Sequence, residues 1–275
     1  MPAVPEVQLN NGVQIPQLGF GVFQIPPAET QVAVTEALRV GYRSIDTAAL
    51  YRNEAGVGAA IAASGLPRDQ VFVTTKLFNG DQGYDSTLRA FDASIGLLGL
   101  DYVDLYLIHW PCPAKDRYID TWRAFEQIHA DGRVRAVGVS NFQVSHLERL
   151  LESSALRPTV NQIELHPFLS QRALREFHAE HHIATEAWAP LAKGGELLRH
   201  PTITTIADRR GLTPAQVVLA WHLAIGNIAI PKSVTPARIA ENLEAVGAEL
   251  SADEIAEIDG LNRDERTGPD PESVN

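Results

Sequence analysis

The chain has 275 residues, 45% of them hydrophobic, and a formal net charge of −11. That is enough apolar material for a sizeable core, and the acidic balance argues against general affinity for nucleic acid or anionic membrane. The lone Cys112 excludes an internal disulfide framework and a cysteine zinc site, while the lack of a signal-like start or membrane-length apolar run predicts a cytoplasmic protein.

Taken in chain order, VQLNNGVQIP predicts a β-hairpin, because Asn-Gly supplies the positive φ angles of a tight turn. Eight strand candidates follow: LGFGV, SIDTA, VFVTTK, VDLYLIH, VRAVGVSN, TVNQIEL, ATEAWAP and IAIPKS. Helical patterns lie between them, with Leu88, Phe91 and Ile95 forming one apolar stripe and Ile239, Leu243 and Val246 another. Pro201 to Gly226 is long enough for two helices, broken near Gly211 to Pro214. SADEIAEIDGL adds a helix after the eighth unit, with Ser251 as its N-cap, and the tail ERTGPDPESVN reads as loose or as a loop ordered by ligand. Strands alternating with helices and no composition break predict one (β/α)8 TIM-barrel domain over residues 1–275, with an N-terminal hairpin and extra helices near the C-terminus. An open doubly wound sheet would want a glycine-rich turn opening a helix after its first strand, and LGFGVFQIPP runs into two prolines instead.

Chemistry in such barrels gathers at the C-terminal ends of the strands. Asp46 ends the second strand, Lys76 the third and His109 the fourth, and Tyr51 lies on the loop after Asp46. A lysine ammonium beside a phenol favours the phenolate and makes its proton easier to release. Asp46 would hold that lysine in place and charged, while a neutral His109 orients a carbonyl oxygen. Each residue alone reads as well as a buried ion pair or a satisfied core histidine. Their joint placement at consecutive strand ends favours carbonyl polarisation, with an external hydride donor because no side-chain nucleophile accompanies them. Pro231, Lys232 and Ser233 end the eighth strand and Arg238 follows near a helix start, which together make a phosphate site.

The segments GYRSIDTAALYRNEAGVG, TTKL, VDLYLIHWP, GVSNF, NQIELHP and IPKSVTPARIAENL resemble the aldo-keto reductases along nearly the whole chain, and most of all the prokaryotic branch that includes 2,5-diketo-D-gluconate reductases. The resemblance implies an NADPH-dependent oxidoreductase for aldehydes, ketones or dicarbonyls, with Tyr51 as general acid, Asp46 and Lys76 as its tuning pair and His109 as substrate orienter. It also implies that Lys232, Ser233 and Arg238 grip the 2′-phosphate of NADP, with Val234 among the cofactor-binding residues, while Glu241 and Asn242 contact adenine. Ser140, Asn141 and Gln162 would fix the nicotinamide carboxamide and Trp188, where many relatives carry Tyr, would stack on its ring. Leu191 would belong to a cofactor-covering loop, with Gly21, Val22 and Phe23 near the reactive end.

Phe23, Phe78, Trp110 and Phe142 would line an aromatic substrate pocket with Tyr51 and His109. The expected partner is a small carbonyl compound and the expected state a monomer. A cofactor-binding regulatory subunit and a Schiff-base aldolase acting through Lys76 are the alternatives. His178, His181 and His182 have helical spacing but are read as an exposed amphipathic helix rather than a metal site.

Overall fold

The computed structural model describes residues 3–275. Strands β1 (Glu6–Gln8) and β2 (Gln14–Pro16) form the expected antiparallel hairpin, with Val7 opposite Ile15. Its turn is longer than Asn-Gly suggested. Leu9 N donates to Val13 O at 2.8 Å and Gly12 N to Leu9 O at 2.9 Å, and Gly12 alone takes a positive φ, 87°, so a three-residue loop closes on a glycine bulge.

The eight strand candidates appear as β3 (Phe20–Gly21), β4 (Ser44–Asp46), β5 (Phe72–Leu77), β6 (Val103–Ile108), β7 (Val134–Ser140), β8 (Val160–Glu164), β9 (Ala184–Trp188) and β10 (Ile228–Ala229). They pair in parallel in sequential order. Leu18 bridges Ala229, and Gly19 N donates to Ala229 O at 2.9 Å, so the first strand meets the last and the barrel closes. Helices α1 (Pro27–Val40), α2 (Glu54–Ala63), α3 (Tyr84–Leu98), α4 (Tyr118–Ala130), α5 (Val144–Ser153) and α6 (Arg172–Glu180) follow β3 to β8 in turn. Both α7 (Pro201–Arg210) and α8 (Pro214–Ala224) lie between β9 and β10; α9 (Pro236–Glu244) and α10 (Ala252–Asp259) come last. Gly211 at φ 65° ends α7, Thr213 caps α8, and Ser251 caps α10 by a reciprocal bond with Glu254. Among the described residues no helix is long and apolar enough to cross a membrane.

Helix faces depart from the apolar stripes. The core face of α3 is Thr87, Phe91, Ser94 and Leu98, with Leu88 and Ile95 at its margin. Its two hydroxyls are satisfied, Thr87 by Asp81 O and Ser94 by Glu54, so a buried helix face need not read as apolar. On α9, Ile239 and Leu243 are buried, but Val246 falls beyond the helix end. Where α2 meets the end of α3, a Cβ on Gly58 would lie 2.0 Å from Leu98 O. Gly58→Ala is therefore expected to cost about 3 kcal/mol, because backbone must move to admit it. A lower urea midpoint with an unchanged slope would report that loss.

Strand alternation sorts the rest. Val73, Tyr106, Val137 and Ile163 face outward into the helix layer. Phe72, Leu105, Leu107, Ala136, Val160 and Ile228 face inward, where Leu9 and Ile15 of the hairpin seal the barrel floor. Toward the C-terminal ends the same inner face turns polar, carrying Asp46, Lys76, His109, Gln162 and Glu186, all buried.

Candidate active site

Asp46 ends β4 pointing inward, and the neighbouring strand β5 brings Lys76 up beside it. Lys76 Nζ donates to Asp46 Oδ1 at 2.5 Å, to Thr47 O at 2.9 Å and to Tyr51 Oη at 3.3 Å. Tyr51 closes a single helical turn, Ala49–Tyr51, that swings its ring over the barrel mouth. His109, just past the end of β6, meets that ring edge-on with centroids 5.6 Å apart. Asn53, which the sequence reading missed, fixes the loop: it accepts from Thr47 Oγ1 at 2.8 Å and donates to Val22 O at 3.0 Å. Its signal was an asparagine immediately before a helix start, though its side chain ties two loops together rather than capping α2.

The electrostatics correct one expectation. Burial is the largest influence on Tyr51 and pushes the phenol above its ordinary range, while Lys76 pulls it down and Asp46 pushes it up again. The net direction is therefore upward, so Tyr51 keeps its proton near neutrality. Burial opposes the charge on Lys76, but Asp46, Tyr51 and Glu186 together raise it above the ordinary lysine value. Burial, then Lys76, drives His109 well below the usual histidine range, leaving a neutral imidazole whose Nδ1 has no hydrogen-bond partner among the described residues.

Ser140, Asn141, Gln162 and Trp188 converge beside these groups. Ser140 Oγ donates to Gln162 O at 2.8 Å, Asn141 Nδ2 to His109 O at 3.0 Å, and Trp188 Nε1 to Asn141 Oδ1 at 2.8 Å. The indole N–H thus fixes the plane of Trp188. Beneath them lies Glu186, a second residue absent from the sequence reading; an acid inside a strand of a parallel barrel was its signal. Burial, with Asp46 adding to it, pushes Glu186 up to about 8. The native state therefore holds a proton that the unfolded chain releases near 4.5, so this group's stabilising contribution is full below about 4.5 and lost as pH rises through about 8. Urea midpoints are expected to fall across that window, and Glu186→Gln should remove this part of the slope.

Asp46, Tyr51, His109, Ser140, Asn141, Gln162 and Trp188 line a cavity of about 1130 Å³, above the roughly 300–1,000 Å³ of ordinary small-ligand pockets. Its far end is formed by Lys232, Ser233, Arg238, Glu241 and Asn242, and Leu191 lies along its side. Among the described residues neither Lys232 nor Arg238 belongs to an ion pair, so two free cations flank the start of α9. Length and charge together fit a dinucleotide phosphate. Glu241 also accepts from Thr213 Oγ1 at 2.8 Å, which holds its carboxylate before any ligand arrives.

Gly21, Phe23, Tyr51, His109 and Trp110 line the cavity, and Phe23 is 49% exposed at its mouth. Five expected site residues do not line it, Lys76 among them because it is wholly buried on Asp46, Thr47 and Tyr51. Phe142 is wholly buried against Tyr118 and His146, because its position after β7 turns it under the helix layer. Val22 is buried with its N–H on Asp46 O, Val234 points to solvent, and Phe78 is exposed beside the mouth. Cys112 is buried, which raises its thiol and shields it. His178 is buried too, contrary to the exposed-helix reading: Asn161 Nδ2 donates to it at 2.9 Å and Thr185 Oγ1 lies 2.9 Å from its other nitrogen. Burial takes it down to about 3.

The tail, expected to be loose or a loop ordered by ligand, is tied to the end of β8. Glu164, at the end of β8, accepts from Thr267 N and Oγ1 at 2.6 Å each and from Gly268 N at 3.1 Å. Thr267, Gly268 and Val274 consequently help wall the cavity. Glu164→Ala is expected to lower hydrogen-exchange protection at Thr267 and Gly268 by about tenfold or more, the loss of charge-assisted bonds. Unchanged protection there would mean that the tail is held by other contacts.

The sequence matches the model of the aldo/keto reductase family across residues 17–263. An aldo-keto reductase from Mycobacterium sp. (strain JLS) is 55% identical, with 98% of each chain covered. The methylglyoxal reductase DkgA of Yersinia pestis is 50% identical over 99% of this chain and 98% of its own. A crystal structure of a Gox0644 mutant in complex with NADPH superposes with a TM-score of 0.95 at 49% identity, covering 100% of both chains.

Proposed function

The chain belongs to the aldo/keto reductase family, and from that premise we propose that it is an NADPH-dependent reductase of small aldehydes, ketones and dicarbonyls. The observation that carries this reading is the buried relay from Asp46 through Lys76 to the Tyr51 hydroxyl, with links of 2.5 and 3.3 Å. The methylglyoxal reductase name of the Yersinia relative and the NADPH bound to Gox0644 support the same substrate class and cofactor.

When bound, NADPH supplies a hydride to the carbonyl carbon. Tyr51 then gives its proton to the carbonyl oxygen, and the ammonium of Lys76 stabilises the phenolate left behind. Asp46 keeps that ammonium charged and aimed. His109, neutral, directs the carbonyl oxygen toward Tyr51 by a hydrogen bond. Lys232 and Arg238 would take the 2′-phosphate, with Ser233, Glu241 and Asn242 around the adenosine. Ser140, Asn141 and Gln162 would hold the carboxamide, and Trp188 would stack on the ring. The molecule is read as one barrel domain, a cytoplasmic monomer.

The aldolase alternative needs a free amine, whereas Lys76 is protonated and committed to three oxygens. A regulatory role would leave the Tyr51 relay without a use. Following NADPH absorbance with methylglyoxal and a panel of other carbonyls tests the proposal. Oxidation of NADPH by at least one of them is expected; none across the panel, with the cofactor bound, would overturn it.

A further inference from the structure

The proposed chemistry leaves Glu186 unused. It lies in the barrel interior on β9, directly opposite Gln162 of β8 in the strand register, and is wholly buried. Gln162 Nε2 donates to Asp46 Oδ2 at 2.7 Å and to Glu186 Oε2 at 2.8 Å. An amide nitrogen has two N–H groups, and here both are spent on carboxyl groups. Turned over, the amide would set its oxygen against the Asp46 carboxylate, acceptor against acceptor, and would give up the bond in which Glu186 Oε2 accepts its second N–H, so the two contacts together fix which way it points. What Gln162 keeps for the cavity it lines is its carbonyl oxygen, which only accepts. Among the described residues Glu186 makes one side-chain hydrogen bond, to the Gln162 amide, and its Oε1 is buried without a partner.

We propose that Glu186 is a positioning residue that locks the Gln162 amide, so that only the amide oxygen meets the NH2 group of the nicotinamide carboxamide. This rests on the reductase reading above. A locked acceptor favours a ring substituent that can donate and rejects one that cannot. Without Glu186, one N–H of Gln162 loses its partner in a dry interior. The amide then swings that N–H toward the cavity, where it can donate as well as accept, and the discrimination is lost. Turnover alone is a poor probe, because the same Asp46 carboxylate also holds Lys76.

Binding of NADP and of its acetylpyridine analogue, in which methyl replaces the carboxamide NH2, separates the effects by calorimetry. Both ligands share the phosphates and adenine, so the ratio of their dissociation constants isolates the carboxamide contact. Wild-type protein is expected to prefer NADP by about tenfold or more, the worth of one bond to a buried acceptor. Glu186→Ala, or the shape-filling Glu186→Leu should alanine fail to fold, is expected to bring the ratio within about twofold of unity, as one lost hydrogen bond allows. Glu186→Gln should restore the preference, since its amide oxygen can accept the same N–H. A ratio unchanged in the apolar variants overturns the proposal, as does a glutamine variant no better than alanine. Wild-type protein that binds NADP without preference sinks this inference alone; failure to bind NADP at all sinks the reductase reading with it.

Discussion

Tyr51→Phe is expected to lower turnover of methylglyoxal by about 10²–10⁴-fold, the usual contribution of a positioned general acid, while NADPH binds as before. The replacement keeps the ring, so contacts with Phe23, 5.0 Å between centroids, and with His109 survive. Only the hydroxyl goes, and its one hydrogen-bond partner among the described residues is Lys76 at 3.3 Å. Lys76 retains Asp46 and Thr47 O, so the buried cation is not stranded and the fold should hold. A fall in kcat with an unchanged cofactor dissociation constant is the signature of an interaction made in the transition state. Turnover within about threefold of wild type would remove Tyr51 from the chemistry, because even a weak general acid contributes more.

Lys76→Met should be damaging on two counts. It removes the cation that stabilises the phenolate, and it leaves the Asp46 carboxylate in a barrel interior with only the Gln162 amide to satisfy it. Breaking a buried pair from one side costs about 3–5 kcal/mol, since an uncompensated charge remains where water cannot reach it. The urea midpoint should drop accordingly, together with most of the activity. The double replacement Lys76→Met with Asp46→Asn separates the two losses. It removes the stranded charge, so stability should recover in part while activity does not. A single variant as stable as wild type would mean that Asp46 takes up a proton at little cost, and the pair would then be no electrostatic unit.

Much of this site could be read in one dimension because strand geometry is periodic. Asp46, Lys76 and His109 each stand at the C-terminal end of a run of β residues, and parallel strands in sequential order bring such ends to one mouth. Phe142 shows the limit of that rule. It stands one residue beyond Asn141, and that single step turns it from the cavity to the helix layer, where Tyr118 and His146 enclose it. The Tyr51 phenol shows another limit: the Lys76 charge close to it lowers its pKa, as a pairing of neighbours predicts, but burial is the larger influence and takes it the other way.

By itself, then, the sequence determined the closed barrel, the set of groups that hold and move a proton, and the pair of cations beside α9. These follow from repeating patterns and from residues that stand close together along the chain. The tertiary structure alone decided that Glu164 pins the tail across the mouth, that Glu186 shares the Gln162 amide with Asp46, and that the phenol is harder to ionise than a free tyrosine. Each of these depends on what surrounds a buried polar atom. Those surroundings come from strands and loops as far apart as Asp46 and Gln162, or Glu164 and Thr267, and no local pattern encodes them.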